Sequence, residues 1–86
     1  LGGEEFAAVL PDTDLKGGVQ AGERLRHAVE SLNVSLDQGG QLTFTVSVGV
    51  SCFCHAGQSV EEMLREADEA LYQAKRNGRN RVEKAA

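Results

Sequence analysis

An α+β fold, built as an α/β sandwich in the order β-α-β-β-α-β, is expected from three observations. Leu42, Phe44, Val46, Val48 and Val50 alternate with Thr43, Thr45, Ser47, Gly49 and Ser51, which is the period of a half-buried strand. Two stretches, Val19–Leu32 and Val60–Arg76, repeat apolar residues at helical spacing. Phe6–Leu10 is an unbroken apolar run stopped by Pro11, as in a short strand covered on both faces. Amphipathic helices alternating with such strands bury their stripes by packing on a sheet.

Size and charge narrow the classes. At 86 residues and 9.2 kDa the chain has the length of one small domain. A chain of this size buries roughly two-thirds of its unfolded surface. A 41% hydrophobic, 26% charged composition with one Pro excludes disordered and collagen-like chains. No apolar run approaches the roughly 20 residues of a membrane span, and Leu1-Gly2-Gly3-Glu4-Glu5 lacks the basic start and apolar stretch of a signal peptide. The segment is therefore expected to be cytoplasmic and without membrane contact. A net charge of −4 argues against a nucleic-acid partner, because neutralising phosphates takes an excess of Lys and Arg. The chain opens at Leu1 rather than Met, directly before Gly-Gly-Glu-Glu, so we expect a fragment of a longer protein.

Gly2-Gly3 precedes the Phe6–Leu10 strand as a tight turn, and Pro11-Asp12-Thr13-Asp14 follows as another, either Asp being able to cap the first helix. That helix carries Val19, Gly22, Leu25, Ala28, Val29 and Leu32 on its apolar stripe, with Glu23, Arg24, Arg26, His27 and Glu30 mostly on the solvated side. Asn33–Leu36 reads as a short edge strand and Asp37-Gln38-Gly39-Gly40 as its turn. The long strand follows, with Gly49 marking a bulge or the close approach of another backbone. Ser59-x-x-Glu62 is a capping box for the second helix, and Gly78 sits where a left-handed residue ends it. Arg81–Lys84 forms a last short strand.

Three groups of residues bear on chemistry. Cys52, Cys54 and His55 form a Cys-x-Cys-His cluster, but structural zinc takes four ligands and no second cluster exists; the cysteines read as small apolar side chains. Glu4 and Glu5 stand beside two glycines at the start of a strand. They fit either solvated carboxylates on a hairpin or oxygen ligands for a hard cation such as Mg²⁺, with the glycines leaving room for a ligand. Five of the nine basic residues fall between Lys75 and Lys84. They suit a helix C-terminus, where cations complement the dipole, and equally a phosphate grip in which Arg supplies a fork and Lys a point charge.

Taken together, Gly2-Gly3-Glu4-Glu5-Phe6 resembles the signature of the GGDEF family, the diguanylate cyclases, in its GGEEF form. The resemblance continues in Glu23-Arg24-Leu25-Arg26, in Thr45-Val-Ser-Val-Gly-Val-Ser51, in Ala67-Asp68-Glu69-Ala70-Leu71-Tyr72-Gln73-Ala74-Lys75 and in Gly78-Arg79-Asn80-Arg81-Val82. It runs from Leu1 to about Glu83, and residues 1–86 then correspond to the C-terminal half of a single domain. A half from a class III nucleotidyl cyclase is disfavoured, since the GGEEF and Gly78-Arg79-Asn80 elements do not suit it.

The resemblance implies a nucleotidyl-cyclase-like or ferredoxin-like sheet and the condensation of two GTP molecules into cyclic di-GMP, with Mg²⁺ or Mn²⁺ and a homodimer. Residue by residue it implies Glu4 as metal ligand and catalytic carboxylate, Glu5 as the neighbouring catalytic acid, and Gly2 and Gly3 as space for the nucleotide. Lys75 and Arg79 match the contacts to the GTP phosphates, and Arg24 matches an arginine of a product-inhibition site. Asp68, Tyr72 and the Thr45–Ser51 motif are expected to support structure. The other half of such a domain carries a further metal-binding Asp and the guanine-recognising residues. The 86-residue chain is accordingly expected to be inactive and to cover its strand edges with a second copy, by pairing or swapping strands. The rival reading is a non-catalytic receptor or scaffold that binds GTP or cyclic di-GMP.

Overall fold

The computed structural model describes Ala8, Leu10, residues 12–53 and residues 56–85. Helix α1 spans Leu15–Glu30, β1 Asn33–Ser35, β2 Gln41–Thr43, β3 Val48–Val50, α2 Val60–Arg76 and β4 Val82–Lys84. This is an α+β arrangement. The predicted strand at Phe6–Leu10 falls largely outside the described residues.

Helix α1 begins four residues ahead of the expected Val19. Asp14 holds an extended conformation and its carboxylate accepts the Gly17 N–H at 2.8 Å, satisfying one of the helix's first donors. Gly17 and Gly18 are poor helix formers, each costing about 1 kcal/mol against Ala, and so conceal this start in the sequence. Gly18 is also where the helix meets the sheet: a Cβ there would lie 2.9 Å from Val50 Cγ1. Gly22, one turn on, is buried, and a Cβ there would sit 3.2 Å from Val48 Cγ1 and 3.3 Å from Val82 Cγ1. The packed face is thus centred on Gly22, whereas Leu25 and Leu32, expected within it, are 53% and 52% exposed. A glycine admits strand side chains between helix and sheet, and a leucine would hold them apart.

The expected long strand is two strands. Strand β2 pairs antiparallel with β1, Val34 opposite Leu42, and β3 pairs parallel with β4, Val48 opposite Val82. The alternation in the sequence runs straight through, but the partner changes: the ladder with β1 ends at Thr43, opposite Asn33, the ladder with β4 begins at Val48, opposite Val82, and residues 44–47 lie in neither. Gly39 and Gly40 turn the hairpin with φ of 85° and 89°, a region that favours glycine.

Strands β3 and β4 with α2 make a β-α-β unit. Successive side chains of β3 face opposite ways. Val48 and Val50 meet α1, while Gly49 and Ser51 meet α2. A Cβ built on Gly49 would overlap the Ala67 carbonyl oxygen and the Leu71 amide nitrogen, so the small polar face of this strand serves to admit a helix backbone. Ala70 and Ala74 are buried at the same junction, and Ser51 Oγ donates to the Met63 carbonyl at 2.6 Å. The predicted close approach at Gly49 is therefore observed.

Helix α2 has the expected bounds. Ser59 Oγ accepts the Glu62 N–H at 3.0 Å and donates to Glu62 Oε1 at 3.3 Å. Among the described residues no helix is long and apolar enough to cross a membrane. Cys52 is a half-buried free thiol; Cys54 and His55 lie outside the described residues.

Candidate functional site

The C-terminal end of α2 and the turn after it carry the basic cluster. Lys75 lies half-buried in the last helical turn. The helix stops at Arg76 with Asn77 as its cap, Gly78 turns with φ 121°, and the Arg79 N–H returns to the Ala74 carbonyl at 2.9 Å. That bond spans the helix end as in a Schellman motif and satisfies a carbonyl left without a helical partner. Lys75 and Arg79 therefore share an end of the helix but not a helical face, since Arg79 lies past the cap.

Arg79 and Asn80 both hold left-handed backbone, with φ of 63° and 48°. Non-glycine residues are uncommon in this conformation; asparagine enters it readily, arginine much less so. Arg79 is exposed, and among the described residues nothing bonds its guanidinium; its carbonyl accepts Arg81 Nε at 3.3 Å. Asn80 is anchored through its backbone N–H and both ends of its side-chain amide. Its N–H donates to Ser47 Oγ at 3.2 Å, its side-chain nitrogen donates to Glu30 Oε2 at 2.6 Å, and its side-chain oxygen accepts Arg26 Nη1 at 3.1 Å.

Arg26 is the other half of this junction. Its side chain is 18% exposed, although the helical pattern assigns it to the solvated side of α1. It lies one turn beyond Gly22, where the helix is close enough to the sheet for a long side chain to reach the turn after α2. Glu23 takes Nε and Nη2 at 3.2–3.4 Å, and Glu30 takes Nη1 at 3.4 Å. The Glu23 hydrogen bonds raise the Arg26 pKa above its ordinary value. The bond from Asn80 holds the Glu30 carboxyl below its ordinary range, with the Arg26 charge adding to it.

The remaining sequence-predicted residues lie apart or outside. Gly2, Gly3, Glu4 and Glu5 fall outside the described residues. Arg24 is exposed on α1, and two positions from Arg26 it points away from the packed face. Asp68 and Tyr72, expected to support structure, are exposed on α2, Tyr72 at 60%, because the packed face runs through Ala70 and Ala74. Among the described residues no three His, Cys, Asp or Glu side chains cluster to hold a metal. The residues missed by sequence reasoning are Asn80, Arg26 and Glu30. The available signal was the spacing of Gly18, Gly22 and Arg26, four residues apart on one face of α1.

Comparison with known proteins bears on the whole arrangement. A family model described as "Diguanylate cyclase, GGDEF domain" matches residues 1–81. The chain is 42% identical over 82 residues to the response regulator PleD of Caulobacter vibrioides, covering 94% of this chain and 18% of that protein. It is 40% identical over 81 residues to diguanylate cyclase A of Treponema denticola, covering 94% of this chain and 22% of that protein. It is 43% identical over 82 residues to diguanylate cyclase DgcM of Escherichia coli K12, covering 94% of this chain and 18% of that protein. The chain thus spans about a fifth of the length of these relatives. A match that takes in the Gly2–Phe6 signature, both helices and the turn at Gly78–Arg81 makes this chain a member of the GGDEF domain family.

Proposed function

We propose that this chain is the C-terminal half of a diguanylate cyclase domain, and that the protein containing it joins two GTP molecules into cyclic di-GMP. The observation that carries the reading is a family match that includes both the Gly2–Phe6 signature and the basic turn at α2, in relatives named as diguanylate cyclases. In each bond-forming step the 3′-hydroxyl oxygen of one nucleotide attacks the α-phosphorus of the other, and the bond to pyrophosphate breaks. Glu4 accepts the hydroxyl proton, with Glu5 beside it, and Gly2 and Gly3 leave space for the nucleotide. Arg79 supplies a two-pronged donor to phosphate oxygens, and Lys75 a compact charge. Mg²⁺ or Mn²⁺, held by Glu4, supplies when bound the positive charge that favours the ionised hydroxyl and the leaving pyrophosphate.

In the complete domain the two sheets would belong to one nucleotidyl-cyclase-like sheet, and two such domains would meet as a homodimer, each presenting one GTP. Arg24, exposed on α1, suits binding of the anionic product as a feedback inhibitor. The deciding measurement is cyclic di-GMP formation from GTP and Mg²⁺ by the full-length protein beside its Glu4→Gln variant. Turnover is expected to fall at least about a hundredfold in the variant, as for loss of an acid-base group. Equal turnover would remove Glu4 from catalysis. GTP binding without turnover in the unaltered protein would favour the receptor reading.

A further inference from the structure

Asn80 joins three parts of the chain that are distant in sequence. Glu30 and Arg26 come from the end of α1, Ser47 from the stretch before β3, and Asn80 itself from the turn after α2. Arg26 is in turn braced by Glu23, so the acceptor side of Asn80 meets a side chain already fixed in place. Immediately before Asn80 stands Arg79, exposed and in a left-handed conformation that its own side chain does nothing to maintain. The turn is held from both sides, by the Arg79 N–H on Ala74 and by Asn80 on α1 and Ser47. These anchors set the direction in which Arg79 leaves the backbone.

We propose that Asn80 is a positioning residue that fixes Arg79 in the pose that grips a nucleotide phosphate. The proposal rests on the reading of Arg79 as a phosphate ligand. An arginine on an unanchored turn would lose conformational freedom on binding, and a turn clamped beforehand spares that loss. The groups by which Asn80 is held, Glu30, Arg26 and Ser47, all belong to the protein. Its effect passes through the backbone of its neighbour.

The test is binding of a non-hydrolysable GTP analogue to the full-length protein, by titration calorimetry, with Tm measured alongside. Arg79→Ala is expected to weaken binding about tenfold or more, as for loss of a charged hydrogen bond. Asn80→Ala is expected to weaken it about three- to tenfold, and the double variant to bind no worse than Arg79→Ala, because the second change acts through the first. Unchanged binding by Arg79→Ala would overturn the phosphate reading and this proposal with it. Weaker binding by Arg79→Ala with none by Asn80→Ala, or additive losses in the double variant, would overturn this proposal alone. A second pair guards against misfolding. Asn80→Asp sets a carboxylate against Glu30 and should weaken binding, while Asn80→Asp with Glu30→Gln restores donor and acceptor and should return it to within about twofold of the unaltered protein. A folded double exchange that stays as weak as Asn80→Asp would overturn the proposal.

Discussion

The side-chain amide of Asn80 donates to Glu30 at 2.6 Å across 50 positions of sequence, tying the turn after α2 to the end of α1. The bond joins a neutral donor to a carboxylate, so its strength follows the charge on Glu30. Its consequences are visible in acid.

The Glu30 carboxyl is held below its ordinary value of 4.5, chiefly by Asn80, so protonating it costs more in the folded chain than in the unfolded one. Its contribution to stability is complete above the unfolded value and is lost as pH falls through the folded one. Tm of the chain should therefore fall between about pH 5 and pH 3 more steeply than Tm of Glu30→Gln. Parallel curves for the two proteins would show that Glu30 carries no such linkage. The group is exposed to solvent, so raising the salt concentration should narrow the difference.

Gly49 has α2 backbone where a side chain would begin. Backbone in a helix cannot rotate aside as a side chain does, so Gly49→Ala forces β3 and α2 apart. Denaturant unfolding should record a loss of about 3 kcal/mol or more. Gly22→Ala meets only valine methyl groups at 3.2–3.4 Å and regains about 1 kcal/mol of helix propensity, so its net change should stay within about 1 kcal/mol. Equal losses at the two positions would contradict the packing described.

The β1–β2 hairpin has one apolar face. Val34 stands opposite Leu42, and on the same face Leu32, Leu36 and Phe44 extend the row, all between 42% and 52% exposed. Asn33 and Gln41 occupy the other face, joined at 3.0 Å. Apolar rows on a hairpin that pairs with no third strand among the described residues favour association with a like surface. The 86-residue chain should self-associate in light scattering at micromolar concentration, and Val34→Lys with Leu42→Lys should shift it toward monomer. A monomeric unaltered chain would refute the association.

Cyclic di-GMP formation by the 86-residue chain alone should be undetectable with GTP and Mg²⁺. Phosphoryl transfer depends on positioning and charge around an enclosed nucleotide, and this chain spans about a fifth of its relatives. Any product formed by the isolated chain, at a rate abolished by Glu4→Gln, would contradict this.

Much of the architecture was legible because it is written within a few residues. Ser59 with Glu62 and Gly78 bound α2, and the Gly39-Gly40 pair marks the hairpin turn, since an N-cap depends on a side chain reaching its own backbone and the turns on glycine's access to positive φ. The motifs for the family were equally local. What remained hidden depends on residues far apart along the chain. The alternation from Leu42 to Ser51 cannot register that β1 supplies one partner and β4 another. Helical spacing placed Leu25 inward and Arg26 outward, and the contact of Gly18 and Gly22 with β3 turned the helix otherwise. Side-chain chemistry chose the elements and carried the motifs by which the family is recognised. The close approach of backbones at glycines decided which faces meet, and so brought Asn80 to Glu30 beside the arginine.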